Sequence, residues 1–180
     1  MDINKLNEQL EKLLELKRDD MESGHKVDAD NFPEAVQKIY ELYKQGRLNV
    51  YCPDVFEFKY IGQVYALCAV SGKRNKHGNI KYGIAHSLNK HSNEIVDGRI
   101  VTEEQLVRAM KRTQAVLQEK LESGRGLFYN AELNRIIFEK DKYVYSVVLP
   151  DNDKEVCYLQ TVFKADKSYL KRLKNKYKQM

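Results

Sequence analysis

The sequence predicts the α+β fold class, with helices at both ends of the chain and a mainly antiparallel sheet between them. Apolar residues recur at three- and four-residue spacing in several segments, which is typical of helices. Other segments alternate, or run continuously, in β-branched and aromatic residues, which is typical of strands. The turns between the last three predicted strands are too short to contain crossover helices, so their sheet should be antiparallel. We predict an N-terminal helical hairpin over residues 1–46 and an α+β domain over residues 47–180.

Two helices are predicted in the N-terminal region. The first covers residues 2–22, where leucine and isoleucine residues share one face, and a Ser-Gly pair at 23–24 ends it. The second begins near Asn31, has Pro33 close to its first turn, and ends at Gly46. We expect these helices to pair as a hairpin that covers the rest of the protein and offers a surface to a protein partner.

The periodicity changes to that of strands after the second helix. Residues 56–60 alternate between aromatic and charged side chains, and residues 64–70 form a continuous apolar run that is rich in β-formers. A basic loop follows at 71–79, where Gly and Asn residues signal turns. The next segment is ambiguous, and we interpret it as a short strand at 80–82 followed by a helix to residue 91.

The second half of the chain predicts a long helix, a meander and a closing basic helix. Thr102 and Gln105 have the spacing of a capping box at the start of a helix over residues 102–122, on which the sheet should pack. A basic helix is predicted at 166–178 because its lysines alternate with an apolar face. Three strands joined by tight turns precede it, at residues 135–140, 143–149 and 155–163.

Charge is distributed unevenly along the chain. Residues 58–93 contain six Lys and Arg residues, no Asp or Glu, and three of the four histidines. Residues 164–180 contain seven basic residues and one acid, although a solvated helix face would explain this second block equally well. Two basic blocks in an otherwise acidic chain predict an anionic partner, with nucleic acid, and RNA in particular, favoured. The predicted nucleic-acid-binding residues are Lys73, Arg74, Lys76 and Lys81.

Other features of the sequence argue against several classes of protein. The three cysteines are widely spaced and flanked by apolar residues, which indicates reduced, buried thiols in a cytoplasmic protein. No cluster of Cys, His, Asp or Glu has the spacing of a metal site, so we expect neither a metal nor another cofactor. No apolar run approaches the ~18 residues that span a bilayer, and the N-terminus lacks the pattern of a signal peptide, so no membrane association is expected.

The segment from His86 to His91 is the best candidate for chemistry. His86 and Lys90 are four residues apart, so they share one face of a helix. His91 can border the same cleft only if the cleft meets the end of the helix or the helix is irregular. A proton-transfer group beside a fixed cation suits metal-independent RNA cleavage, which needs a base, an acid and a positive charge on the phosphate. The alternative is that all three are ordinary polar residues of a helix.

Thr161 is the second candidate. It lies in the last strand of the meander, where strict alternation would place it with Leu159 and Phe163 on the more apolar face. A threonine in that position is usually a packed β-former. The functional alternative is that its hydroxyl contacts a phosphate where the sheet meets a helix.

The order of these elements resembles that of the barnase–EndoU–colicin–RelE group of small RNases, especially the versions encoded in phages and other mobile elements. The resemblance covers residues 80–175 and includes a helix with a His-x-x-x-Lys-His motif, a long helix, a three-stranded meander and a closing helix. It implies cleavage of RNA without a metal ion. It also implies roles for four catalytic residues: His86 or His91 in proton transfer, Lys90 as the phosphate cation and Thr161 as a phosphate contact on the sheet.

The sequence departs from that pattern in one respect, because no second base or arginine on the sheet can be assigned. Arg135 and Tyr145 are candidates. Nucleic-acid binding with metal-independent endoribonuclease activity is therefore the leading prediction. The alternative is a non-enzymatic accessory protein, from a phage or mobile element, that binds a nucleoprotein complex or another protein.

Overall fold

The computed structural model describes residues 2–14, 26–74, 77–150 and 156–176. The predicted helix end at 23–24 lies outside these described residues. The helices are α1 (Ile3–Leu14), α2 (Phe32–Lys44), α3 (Gly83–His91), α4 (Glu103–Lys111), α5 (Thr113–Ser123) and α6 (Lys167–Lys176). The strands are β1 (Tyr51–Tyr60), β2 (Gln63–Val70), β3 (Ile95–Val96), β4 (Arg99–Ile100), β5 (Phe128–Asn130), β6 (Arg135–Lys140), β7 (Tyr143–Val148) and β8 (Val156–Lys164).

Six strands form one mixed sheet in the order β1-β2-β8-β7-β6-β5, and β3 and β4 form a separate hairpin. Every neighbouring pair in the large sheet is antiparallel except β2 and β8, which are parallel. The predicted α+β class, mainly antiparallel sheet, N-terminal helices and C-terminal helix are confirmed. No helix in the described part of the chain is long and apolar enough to cross a membrane.

Helix capping follows the local sequence. The Asn31 side chain accepts a hydrogen bond from the Glu34 backbone N–H at 2.9 Å, which fixes the start of α2. At α4, the Thr102 hydroxyl accepts from the Gln105 backbone N–H, and the Gln105 side chain accepts from the Thr102 backbone N–H, both at 3.1 Å. The predicted capping box is therefore present.

The helix predicted at 102–122 is interrupted at Arg112, where α4 ends and α5 begins. The hydroxyl of buried Thr113 donates to the Met110 carbonyl at 2.6 Å. A side-chain bond of this kind competes with the backbone ladder and bends a helix locally. The helix is thus present as two consecutive segments that cover the same face of the sheet.

The two N-terminal helices pack on opposite faces of the sheet. Alternate side chains of β2 show this, because Leu67 belongs to the same core as α2, whereas Cys68 packs with the leucines of α1. The predicted pairing of the two helices as a hairpin is wrong for this reason. Periodicity identifies the apolar face of a helix but does not say which surface covers it. The proposed domain boundary at residue 46 stays a prediction.

The first half of β8 pairs with β2, whereas the second half of β8 packs against α3. Pairing between the two strands ends at Cys68 and Tyr158, and α3 starts shortly after β2 ends. The approach of the backbones is close, because a Cβ atom on Gly83 would lie 2.5 Å from the Val70 carbonyl oxygen. Gly83 also has a φ of +88°, a conformation that favours glycine. This junction places α3 against the second half of β8.

Candidate active site

A cleft of about 510 Å³ lies between α3, β8 and the first turns of α6. All four of the predicted catalytic residues line it, although they come from two separate parts of the chain: His86, Lys90, His91 and Thr161. Seven other lining residues matter for the argument: Glu94, Arg135, Phe163, Lys164, Asp166, Tyr169 and Arg172.

The position of His91 explains how two histidines five residues apart border one cleft. His91 is the last residue of α3, so the cleft meets the helix at its end. The rings of His86 and His91 lie 6.1 Å apart, centre to centre, and nearly perpendicular at 86°. Lys90 reaches the same cleft because it lies one turn after His86.

His86 is held as a neutral ring. Its Nδ1 lies 2.7 Å from the backbone carbonyl oxygen of Ile80, which can only accept, so Nδ1 carries the proton and Nε2 has the free lone pair. Burial lowers the pKa of His86 from its usual value of about 6.5. The hydrogen bond to Ile80 opposes this shift, and the nearby charges of His91 and Lys90 add to it. His86 can therefore accept a proton at neutral pH.

His91 is fixed by two contacts. Its Nδ1 lies 2.8 Å from Oε1 of Glu94, to which it donates a hydrogen bond. Its ring stacks on Phe163, with 5.1 Å between ring centres and 29° between planes. These contacts leave Nε2 as the nitrogen of His91 that can exchange a proton with a ligand. Glu94 was not anticipated from sequence, because its role depends on where α3 ends.

Thr161 reaches the cleft because β8 contains a bulge. Ser146 of β7 pairs with Thr161, but the next β7 residue, Val147, pairs with Leu159, so Gln160 is extra. The bulge reverses the alternation between Leu159 and Thr161. The prediction that Thr161 shares a face with Leu159 is therefore wrong. Leu159 is buried in the main core, whereas Thr161 is partly exposed in the cleft.

Ser87 joins α3 to β8 beneath the cleft. This fully buried residue accepts a hydrogen bond from the Val162 backbone N–H at 2.9 Å and donates to the Thr161 hydroxyl at 3.3 Å. The helix with the histidines is thus held in register with the strand that carries Thr161. No local signal in the sequence distinguishes Ser87 from an exposed helical serine.

The cleft is electropositive. Glu94 is engaged with His91, and Asp166 caps α6 by accepting a hydrogen bond from the Tyr169 backbone N–H at 2.7 Å. The Nε of Arg135 is buried and has no hydrogen-bond partner among the described residues. The Arg135 residue nevertheless lines the cleft, so its positive charge contributes there. Four fixed cations line the cleft, each from a different element: Lys90, Arg135, Lys164 and Arg172.

Three of the predicted nucleic-acid-binding residues lie in the described part of the chain, and none of them lines this cleft: Lys73, Arg74 and Lys81. The guanidinium of Arg74 donates to the Gly78 carbonyl at 2.8 Å, which holds the turn of the loop. The backbone N–H of Lys81 donates to the Lys73 carbonyl at 3.2 Å. Lys76 lies outside the described residues. A role of this loop in binding stays a prediction.

Comparison of the chain with known protein families, with curated proteins and with solved structures finds no match. Within the described ranges, no three His, Cys, Asp or Glu side chains lie close enough together to hold a metal ion. The interpretation of the cleft therefore depends on its own geometry.

Proposed function

We propose that this protein is an endoribonuclease that cleaves RNA by acid–base chemistry, without a metal ion, in the cleft between α3, β8 and α6. The observation that supports this most is the convergence of two differently hydrogen-bonded histidines with fixed cations. General acid–base cleavage needs a proton acceptor, a proton donor and positive charge around one phosphate. The cleft offers all three within one cavity.

In this proposal His86 is the base and His91 is the acid. Nε2 of His86 takes the proton of the ribose 2′-hydroxyl, and the 2′-oxygen attacks the adjacent phosphorus. A bond forms between phosphorus and the 2′-oxygen, and the bond to the 5′-oxygen of the next nucleotide breaks. Nε2 of protonated His91 gives its proton to that leaving oxygen. The products are a 2′,3′-cyclic phosphate and a 5′-hydroxyl.

The cations stabilise the negative charge that develops on the phosphate oxygens. Lys90 lies on the same face of α3 as His86, so it can contact the phosphate beside the base. Arg135 also lines the cleft, and its planar guanidinium group matches phosphate geometry. The Thr161 hydroxyl, held by Ser87, adds a neutral contact from the sheet.

The cysteines suit a cytoplasmic location for this activity. Cys52, Cys68 and Cys157 are all free and buried. Burial raises the pKa of the Cys52 thiol to about 11, so it stays protonated and unreactive at neutral pH. Free buried thiols of this kind are typical of proteins in reducing compartments.

The direct test is incubation of the purified protein with end-labelled single-stranded RNA and EDTA between pH 5 and pH 9. We expect cleavage that leaves a 2′,3′-cyclic phosphate. His86→Ala and His91→Ala should each lower the rate by roughly 10²–10⁴-fold. His77→Ala is the matched control, because His77 is exposed and lies outside the cleft.

The pH profile provides a second test of the assignment. Because burial lowers the pKa of His86, the acidic limb of the kcat/KM profile should fall below pH 6.5. Absence of cleavage at every pH, or equal cleavage by the His86, Lys90 and His91 triple alanine variant, would overturn the proposal. RNA that binds but stays intact would instead favour the non-enzymatic accessory role.

A further inference from the structure

A row of planar side chains extends from the histidine pair along the cleft, and we call it the stacking row: His91, Phe163, Tyr169 and Arg172. His91 stacks on Phe163, and Phe163 meets Tyr169 edge-on, with 5.2 Å between ring centres and 85° between planes. The guanidinium of Arg172 lies over the Tyr169 ring, 5.9 Å from its centre. All four residues line the cleft.

The two ends of the stacking row differ in their surroundings. Phe163 and Tyr169 are both partly buried and both pack against the small core beneath α6, which accounts for aromatic rings at these positions. Arg172, at the outer end of the row, is exposed. Packing alone does not account for an exposed arginine over the Tyr169 ring in a cleft that borders two histidines.

We propose that the outer end of the stacking row is a nucleobase-binding subsite, in which an unpaired base next to the cleaved phosphate stacks on Tyr169 and Arg172. This inference depends on the proposed function for the position of the phosphate. Aromatic rings and guanidinium planes are the groups on which proteins stack unpaired bases. The substrate class is therefore single-stranded RNA.

The size of the cleft supports an unpaired nucleotide. A volume of about 510 Å³ is in the range of sites that enclose one small ligand. A base within a duplex has both faces covered by its neighbours, so it cannot stack on protein side chains without leaving the helix. Stacking reads the face of a base and not its edge, so the subsite should tolerate all four bases.

The charges beside the row fit the backbone of the same nucleotide. Lys164 lies on the strand that carries Phe163, and Arg172 lies one turn of α6 beyond Tyr169. Asp166 is occupied in capping α6, so its charge is already directed to backbone N–H groups. A phosphate next to the stacked base would thus meet cations on two sides.

The test is binding of full-length protein to a fluorescent 2′-O-methyl RNA hexamer, which lacks the 2′-hydroxyl nucleophile and stays intact. Tyr169→Leu should raise the Kd on the order of 10- to 100-fold, whereas Tyr169→Phe should leave it within about twofold. Tyr129→Leu is the matched control, since Tyr129 is an exposed tyrosine on β5, away from the cleft. The melting temperature of each variant is measured alongside.

Arg172→Lys separates stacking from charge and does not endanger the fold, because Arg172 is exposed. It keeps the positive charge and removes the planar group, so the Kd should rise roughly threefold or more while the salt dependence of binding is unchanged. A duplex of the same sequence should bind more weakly than the single strand.

Equal affinity of Tyr169→Leu and wild type, or equal affinity for duplex and single strand, would overturn the subsite. Loss of affinity in both Tyr169→Leu and Arg172→Lys would support it. The two proposals can fail separately. Single-strand binding that requires Tyr169, without cleavage of ordinary RNA, would overturn the enzymatic role and support the subsite.

Discussion

Replacing Gly83 by alanine should disturb the junction that positions α3 and its histidines. Gly83 has a φ of +88°, and a Cβ atom there would lie 2.5 Å from the Val70 carbonyl oxygen and 2.8 Å from the Ser71 carbonyl carbon. Both neighbours are backbone atoms at the end of β2, so neither can rotate away. The first turn of α3 must then move away from β2.

The chain contains a matched control for this substitution. Gly62, in the turn between β1 and β2, has a φ of +75° but no atom within 4 Å of an added Cβ. Gly62→Ala should therefore lower the free energy of unfolding only by the cost of placing an alanine in a left-handed backbone conformation, about 1–2 kcal/mol. Gly83→Ala adds steric overlap in a packed region, typically about 1–3 kcal/mol. We expect its total cost to be on the order of 2–5 kcal/mol.

Chemical denaturation of the two variants and wild type measures these free energies of unfolding. Gly83→Ala should be the less stable variant, and any folded fraction should cleave RNA more slowly than Gly62→Ala because His86 has moved. If the two variants lose the same stability, the close approach at Gly83 does not constrain the protein and the reasoning fails. Retention of full activity in Gly83→Ala would contradict the role of the junction in positioning the site.

Three other predictions concern single side chains. Tyr145→Phe should lower the free energy of unfolding by about 0.5–1.5 kcal/mol, because the hydrogen bond from its hydroxyl to the Ala109 carbonyl, 2.9 Å long, is lost. The cost is modest because that carbonyl keeps its hydrogen bond from the Arg112 N–H. An unchanged free energy of unfolding in chemical denaturation would mean that the Tyr145 bond contributes nothing. Ser87→Ala should lower the free energy of unfolding by about 1–3 kcal/mol, because the buried Val162 N–H of β8 loses its acceptor. The same change should slow RNA cleavage. An unchanged melting temperature and an unchanged cleavage rate would refute this prediction. Burial lowers the pKa of His86 in the folded state below its value of about 6.5 in the unfolded state. The unfolded state therefore binds more protons than the folded state below about pH 6.5. As a result, the free energy of unfolding falls as the pH drops from 7.5 to 5. His86→Gln should remove part of that fall in melting temperature, and identical pH dependence in both proteins would show that His86 does not cause it.

The local sequence was sufficient to predict features that depend only on the spacing of residues along one helix. His86 and Lys90 share a cleft because four residues make about one helical turn, whatever surrounds the helix. The capping box at Thr102 and Gln105 is likewise a contact between residues three positions apart. Such features need no knowledge of the tertiary fold.

The remainder depended on contacts between distant segments. The face of Thr161 is set by a bulge that exists only relative to β7, and nothing in β8 itself marks Gln160 as the extra residue. The partners of Ser87 and Glu94 are equally invisible from helix periodicity. The short strand β5 was missed because three residues are too few to establish an alternating pattern.

The parallel pairing of β2 and β8 has a consequence for when the site can form. Ala66 pairs with Val156, and the Gln9 side chain accepts a hydrogen bond from the Val156 N–H, so both halves of the chain must be present. Such distant pairings close large loops and form late in folding. During synthesis, the helix with His86 emerges well before the strand that completes the cleft. A nascent chain therefore carries the histidines without the cleft around them until β8 and α6 have left the ribosome.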